Sequence, residues 1–251
     1  LERLSDEDMV NIQRCNLLES SAPNPSVETL FHAFLAHKFI DHTHANAVLS
    51  LTDQPDGEAL ARELYGARAA IVPYVMPGFA LAKLAAKAAS RQPRAEGLIL
   101  AKHGIFTWGE SAQEAYERMI DLVSLAEARL QRGRRPAFVS ARLAPLPAAV
   151  EPACVEDVAP ILRGLAAIAD DPHGGVYRRF VLDFRAAPDI LTFVNGAELA
   201  RYSQAGVVTP DHVIRTKARP LIVPAPAAND LAGFAAAASA AFGAYAADYQ
   251  D

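Results

Sequence analysis

Two histidines separated by one residue have the spacing of a divalent-metal site. His42 and His44 lie in the segment FIDHTH of residues 39–44, whose β-branched and aromatic content is typical of a strand. Because strand side chains alternate with a period of two, both imidazoles project from the same face. Two nitrogens on one face can converge on one cation. The competing interpretation is a pair of surface histidines on an edge strand.

A third histidine follows another predicted strand. Residues 97–101, GLILA, are apolar enough for a buried strand, and His103 with Gly104 stands where that strand ends. Ligands of α/β proteins usually bind at strand ends along one edge of the sheet. Two histidines on one strand and a third at another strand end would give three nitrogens and an open position. That is the pattern of catalytic rather than structural zinc.

The predicted elements around these histidines alternate between helices and strands. Glu28 is expected in the first turn of a helix capped by Ser26, where the helix dipole stabilises a carboxylate. The other expected elements are a helix from residue 6 to about 18, helices over 47–51 and 58–65, a strand over 69–75, a helix over 79–90 and a long helix from Ser111 to about 131. Such alternation predicts an α/β layered core.

The composition changes after residue 135. Prolines at positions 136, 145, 147 and 152 indicate a linker or an extended surface crossing. Beyond the linker the pattern predicts a helix over 155–169, a strand over 176–184, short helices over 188–203, a strand over 221–223 and a helix over 228–247. Residues 1–135 and 136–251 are therefore expected to be separate regions.

Arg215 and Lys217 are the basic residues of this second region with a spacing of interest. They would share one side of an extended segment over residues 209–217, where they could bind a phosphate. The alternative interpretation is a pair of solvated charges on an edge strand.

The overall composition restricts the class of protein. The 29 acidic residues against 24 basic ones give a net charge of −5, which argues against nucleic acid as a partner. Cys15 and Cys154 make neither a disulfide framework nor a CxxC site, so we expect a reducing cytoplasm. The sequence has no apolar run of membrane-spanning length, and no membrane partner is expected. Because it starts at Leu1, we expect it to be part of a longer chain.

Several motifs together resemble the class II aldolase/adducin family. They are PSVE over residues 25–28 followed by His32, HTH over residues 42–44, and HGIFTWG over residues 103–109 with the long helix that follows. The resemblance covers roughly residues 20–135. The segments VPYVMPGF over 72–79, LDF over 182–184 and TPDHVIRTK over 209–217 are similar to the aldolase part of bacterial rhamnulose-1-phosphate aldolase/short-chain dehydrogenase fusion proteins.

The resemblance implies a fold and a metal site. The fold would be a three-layer α/β/α arrangement with a mixed central sheet, followed by a C-terminal α/β extension. His42, His44 and His103 would hold Zn²⁺ or another divalent metal. Glu28 would be the catalytic acid/base and, without substrate, a fourth ligand.

The resemblance also implies a reaction. A ketose 1-phosphate, with rhamnulose 1-phosphate as one candidate, would be cleaved to dihydroxyacetone phosphate and an aldehyde such as lactaldehyde. Many phosphate-using members have two serines before the glutamate, and here Ser26 is one while Val27 replaces the other. The glycine-rich phosphate loop of the family is absent from this sequence. The family resemblance further suggests a homo-tetramer with sites near subunit contacts.

Two alternatives remain open at the level of sequence. Epimerases and dehydratases of the family use the same ligands to stabilise an enediolate, so the ligand set does not separate them from aldolases. A non-catalytic module like the adducin head would lack the histidine triad, which is intact here.

Overall fold

The computed structural model describes residues 2–132, 151–171 and 175–249. The chain divides into two compact units. One unit comprises Leu1–Arg134 with Val207–Lys217, and the other comprises Arg135–Gly206 with Ala218–Asp251. Most of the predicted linker over 136–152 lies outside the described residues.

A four-stranded mixed sheet forms the centre of the first unit. The strands lie in the order β1-β4-β3-β2. Strands β2 and β3 are parallel, whereas β4 runs antiparallel to both of its neighbours; the four strands are β1 (Phe39–Thr43), β2 (Ala69–Val72), β3 (Gly97–Leu100) and β4 (Gly104–Gly109). This register brings the end of β1, the start of β4 and the carboxyl ends of β2 and β3 to one edge of the sheet.

Six helices accompany this sheet. The predicted Ser111 cap is confirmed, because its Oγ accepts the Glu114 N–H at 3.1 Å. The six helices are α1 (Asp6–Cys15), α2 (Thr29–Phe34), α3 (Asn46–Thr52), α4 (Gly57–Tyr65), α5 (Phe79–Arg91) and α6 (Ala112–Gln131).

Side-chain alternation along the strands builds one apolar core on each face of the sheet. Leu98 and Leu100 pack on one face with residues of α2 and α5, including Phe31 and Leu81. Ile99 points the other way, into a core completed by residues of α3, α4 and α6. Each buried Leu or Ile stabilises the fold by about 1.5–3 kcal/mol. The expected three-layer α/β/α arrangement with a mixed sheet is therefore confirmed.

The rest of the described chain is mainly helical. A third apolar cluster, centred on Val158, Phe234 and Ala238, packs the first and last of its helices. The elements are α7 (Val155–Leu165), β5 (Ile168–Ala169), β6 (Tyr177–Arg178), α8 (Pro188–Val194), α9 (Leu199–Tyr202), α10 (Pro210–Arg215) and α11 (Leu231–Asp248). Helix α10 belongs to the first unit. Across the described residues, no helix combines the length and apolarity that crossing a membrane requires.

Several local predictions are wrong. Residues 209–217 are not extended, because Thr209 caps helix α10 and Pro210 occupies its first position. This cap-and-proline signal outweighs the β-branched content of the segment. The strand expected over 176–184 is reduced to Tyr177–Arg178, and residues 221–223 form no strand. In the described chain these segments have no neighbouring strand of matching length. Alternation of apolar residues alone therefore does not produce strand pairing.

Candidate metal centre

His42 is held rigidly at the end of β1. Its ring stacks on Phe106 of β4, with centroids 4.0 Å apart and planes 12° from parallel. Its Nδ1 lies 2.9 Å from the carbonyl oxygen of Ile105. A carbonyl can only accept a hydrogen bond, so Nδ1 carries the proton and Nε2 presents a lone pair. Strand pairing thus fixes both the tautomer and the direction of this imidazole.

His44 lies one residue past the end of β1. Its Nδ1 is 2.8 Å from Oδ2 of Asp211, in the first turn of α10. The carboxylate also can only accept, so Nδ1 carries the proton and Nε2 presents its lone pair. This Nε2 lies 3.0 Å from Nε2 of His42. Asp211 was missed at the sequence level, where the segment around it was expected to be extended.

His103 arrives from a tight turn between β3 and β4. Lys102 takes a left-handed backbone conformation with φ of 60°, and its N–H donates to Thr52 Oγ1 at 3.1 Å. The turn buries His103, which is 4% exposed, and places its Nε2 3.1 Å from Oε1 of Glu28. Among the described residues its Nδ1 has no hydrogen-bond partner.

Glu28 stands among the three imidazoles. Its Oε1 lies 3.1 Å from Nε2 of His103, 3.4 Å from that of His42 and 3.6 Å from that of His44. The predicted Ser26 helix cap is wrong, because α2 begins at Thr29 with Glu28 itself as the N-cap. Ser26 instead donates from Oγ to Oε2 of Glu28 at 2.7 Å and accepts the Glu28 N–H at 3.2 Å. Ser26 therefore orients the carboxylate.

The four side chains have the spacing of a divalent-metal site. One ligand atom from each of Glu28, His42, His44 and His103 lies within 4.8 Å of the others. A tetrahedral zinc site with bonds of about 2.0–2.1 Å places its ligand atoms about 3.3 Å apart. The four measured separations that involve Glu28 Oε1 or the His42–His44 pair span 3.0–3.6 Å. Four of the six donor separations are therefore close to those of a divalent-metal site.

The chemistry of the donors leads to the same conclusion. The assigned tautomers leave Nε2 of His42 and of His44 as acceptors, and the carboxylate oxygen of Glu28 is an acceptor as well. Three acceptors this close repel one another unless a positive charge is shared among them. A proton or a divalent cation fulfils that requirement, and the two compete for the same lone pairs.

The protonation equilibria of the cluster reflect this crowding. The neighbouring imidazoles, His103 first and then His42 and His44, hold the pKa of Glu28 far below its usual range. Burial lowers the pKa of His42, whereas the nearby carboxylate of Glu28 raises the pKa of His44. Near neutral pH the cluster therefore contains a carboxylate and a neutral His42, both of which suit metal binding.

Gly104 allows the strands to meet at this point. A Cβ there would lie 2.5 Å from the Thr43 carbonyl oxygen and 3.1 Å from both His42 Cε1 and His44 Cδ2. No side chain fits in that space, so the glycine is required for the close approach of β1 to β4. The sequence indicated a strand end at this position but not the approach.

The remaining predicted site residues lie at or near α10. Arg215 is in its last turn, Lys217 follows two residues later, and both are exposed. In this segment, Asp211 accepts a hydrogen bond from His44 of the histidine cluster. The predicted role of Arg215 and Lys217 in binding substrate stays a prediction.

Comparison with known proteins gives matches to one family over most of the chain. The family model "Class II Aldolase and Adducin N-terminal domain" matches residues 1–130, and "Aldolase class II, second domain" matches residues 153–251. The uncharacterized oxidoreductase YuxG of Bacillus subtilis is 34% identical over 224 residues, which are 88% of this chain and 31% of that protein. Methylthioribulose-1-phosphate dehydratase of Yersinia pestis is 30% identical over 148 residues, 51% of this chain and 67% of that protein. The chain thus spans about a third of the length of the first relative.

Solved structures give a weaker likeness. The N-terminal class II aldolase domain of a conserved protein from Thermoplasma acidophilum is 37% identical, covers 52% of this chain and 60% of its own, and gives a TM-score of 0.47. The sugar-phosphate aldolase of Thermotoga maritima is 21% identical, with coverages of 46% and 58% and a TM-score of 0.38. Because both TM-scores are below 0.5, the matches in sequence carry the comparison.

Proposed function

The chain belongs to the class II aldolase and adducin family, and from this premise we propose that it is a divalent-metal-dependent lyase. It cleaves a carbon–carbon bond of a ketose 1-phosphate through an enediolate. The observation that carries the proposal is the cluster of three imidazoles and one carboxylate within 4.8 Å, with acceptor atoms facing one another. The preferred ion is Zn²⁺, and another divalent metal is the alternative.

The residues of the cluster have different roles in the proposed reaction. His42, His44 and His103 would hold the ion, which when bound supplies Lewis-acid stabilisation to an enediolate. Glu28 moves the proton at carbon: its carboxylate accepts the proton in the condensation direction and returns it in the cleavage direction. The hydrogen bond from Ser26 occupies Oε2 and leaves Oε1 facing the imidazoles.

The proposed substrate class is supported by the resemblance and by the relatives. Rhamnulose 1-phosphate is the first candidate, with dihydroxyacetone phosphate and lactaldehyde as products. Ser26, Arg215 and Lys217 are the candidates for contacting the phosphate. We further propose a homo-tetramer, which light scattering would test against the 26.9 kDa mass of the chain. A cytoplasmic location also stays a prediction.

A coupled assay tests the lyase. The zinc-loaded chain is given a panel of ketose 1-phosphates, and the dihydroxyacetone phosphate released is reduced with NADH by glycerol-3-phosphate dehydrogenase. Glu28→Gln is the matched variant, because the amide keeps the shape but cannot take up the proton. We expect it to lower kcat by about 10²–10⁴-fold, the usual contribution of a general acid/base. Failure of the zinc-loaded chain to cleave any member of the panel would contradict the proposal.

A dehydratase is the second candidate function. It is favoured by the 30% identity to methylthioribulose-1-phosphate dehydratase over 67% of that protein. An epimerase would use the same donors. Mass spectrometry of the same incubations separates the three reactions: a lyase gives two fragments, a dehydratase a product lighter by one water, and an epimerase an isomer.

An adducin-like module without catalysis is the remaining alternative. It predicts that the purified chain neither contains nor binds a divalent ion. Metal analysis by plasma mass spectrometry, followed by zinc titration, decides this before any substrate is known.

A further inference from the structure

Asp211 is far from the metal cluster in sequence and adjacent to it in space. Its Oδ2 lies 2.8 Å from Nδ1 of His44, across 167 positions of chain. The hydrogen bond fixes the proton on Nδ1 and leaves the lone pair of His44 Nε2 directed at Nε2 of His42 and Oε1 of Glu28. A carboxylate that accepts from Nδ1 also makes Nε2 a stronger donor to a metal.

The first turn of α10 holds Asp211 in place. Thr209 is 4% exposed and caps the helix by accepting the His212 N–H. Its hydroxyl also lies 2.6 Å from Nδ1 of His212, and Pro210 restricts the backbone at the first helical position. Asp211 follows at the second position, where the helix dipole favours a negative charge. The carboxylate is therefore presented by a capped turn rather than by a free loop.

His44 depends on this contact more than His42 does. His42 is inside β1, stacked on Phe106 and bonded to a backbone carbonyl. His44 is outside the strand, and its ring contacts are with the other two imidazoles. Among the described residues, Asp211 is the Nδ1 partner that can orient this ring.

We infer that Asp211 is a positioning residue for the metal centre, which it serves by fixing the tautomer and direction of His44. The inference rests on the proposed metal-dependent function. Partners of this kind typically contribute 10–100-fold to metal affinity. Residues 1–130 thus contain the four donors, and the second matched region supplies the group that orients one of them.

Zinc affinity of the full chain, measured by competition with a chromophoric chelator, tests the inference. We expect Asp211→Ala to weaken zinc binding by about 10–100-fold. Asp211→Glu keeps an anionic acceptor and should recover part of the loss, and Asp211→Asn should fall between. The matched control is Asp189→Ala: Asp189 is also exposed and also follows a proline at the start of a short helix, α8. It should bind zinc like the unmodified chain.

A spectroscopic readout separates positioning from general stability. Long-range ¹H–¹⁵N spectra of the zinc-loaded chain should show His44 with its proton on Nδ1, assigned with His44→Ala. In Asp211→Ala the low-field signal of that proton should be lost while the thermal midpoint of the zinc-free protein is unchanged. A merely structural role would lower the midpoint and leave both the signal and the zinc affinity intact.

Two results overturn different statements. Unchanged zinc affinity and an unchanged His44 signal in Asp211→Ala would overturn the role of Asp211 and leave the proposed function standing. No zinc binding by the unmodified chain would overturn the proposed function, and with it the inference.

Discussion

The two ends of the parallel strands β2 and β3 each hold a carboxylate, but in opposite electrostatic settings. At the amino ends, Nε of Arg68 lies 3.1 Å from both carboxylate oxygens of Glu96. At the carboxyl ends, Glu28 meets three imidazoles, two of which present lone pairs. The first carboxylate has a permanent cation beside it. The second has only groups that gain positive charge from a proton or a metal.

This difference separates a stabilising contact from a reactive one. The guanidinium stays charged at every accessible pH, so the ionised carboxylate of Glu96 has its counter-ion without a ligand. The imidazole cluster is complete only when a cation is shared among its acceptors. One edge of the sheet therefore carries an ion pair that needs no ligand, and the opposite edge carries a cluster that could hold a metal ion.

Removing His103 should produce the largest effect. His103→Ala takes away one of four donors, so zinc affinity should fall by more than the roughly 100-fold limit for a group that acts through a ligand. Plasma mass spectrometry of the purified variant measures the retained metal. Arg68→Ala, at the other edge, is the control and should retain zinc fully. Stoichiometric zinc in His103→Ala would remove this residue from the ligand set.

Zinc should stabilise the protein by binding at the sheet edge that holds the imidazoles. A ligand at about 100 times its Kd adds about 2.7 kcal/mol to the free energy of unfolding. For a chain of this size that corresponds to a rise in Tm of about 5–10 °C. Differential scanning fluorimetry with and without chelator measures the rise, which should vanish in His103→Ala and persist in Glu96→Gln.

The rise in Tm caused by zinc should also shrink as the pH falls, because protons compete for the imidazole nitrogens. A rise in Tm that grows in acid would contradict the assignment.

Two glycines provide a matched pair of sheet variants. A Cβ at Gly97 would lie 2.5 Å from the Phe106 carbonyl oxygen, and a Cβ at Gly104 would lie 2.5 Å from the Thr43 carbonyl oxygen. Each alanine variant should therefore destabilise the protein by about 1–3 kcal/mol, as overpacking usually does. Urea denaturation measures this loss. Only Gly104→Ala should also weaken zinc binding, and equal zinc affinities in the two variants would argue that the close approach of β1 to β4 does not position the histidines.

The Arg68–Glu96 pair should give the smallest effect. Arg68 lowers the pKa of Glu96. The pair therefore stabilises the fold fully at pH values above the ordinary pKa of a glutamate, and it loses this effect as the pH falls through the lowered pKa. Because both side chains are partly exposed, Glu96→Gln should cost about 0.2–1 kcal/mol at pH 7. Urea denaturation should show this difference at neutral pH and none in strong acid. A loss that persists in acid would mean that packing, not charge, is the cause.

The two edges of the sheet differ in how far the sequence predicts them. The layered fold and the positions of β1 and β3 follow from local patterns, because alternation and apolar runs are written in consecutive residues. The meeting of His42, His44 and His103 was expected from strand ends and from the family resemblance. The Arg68–Glu96 pair was not anticipated, since pairing of strand starts depends on strand order.

Asp211 marks the limit of sequence reasoning in this chain. The Thr-Pro-Asp sequence at residues 209–211 is a helix-start signal, and it outweighs the β-branched residues that favour an extended segment. Even a correct helix assignment would not have located the contact, because the partners are 167 residues apart. The prediction of a strand over 176–184 is wrong for a similar reason: a strand needs a neighbour that the local pattern does not specify.

The hydrogen bond between His44 and Asp211 has a consequence for how such proteins can be divided. All four donors precede residue 131, so a fragment ending there would retain every ligand atom. It would lack the carboxylate that sets the tautomer of His44, and a mixture of ring states would remain. A fragment that contains all four ligands is thus shorter than a fragment that also contains Asp211. Fusions or truncations meant to keep the orientation of His44 should therefore extend past α10.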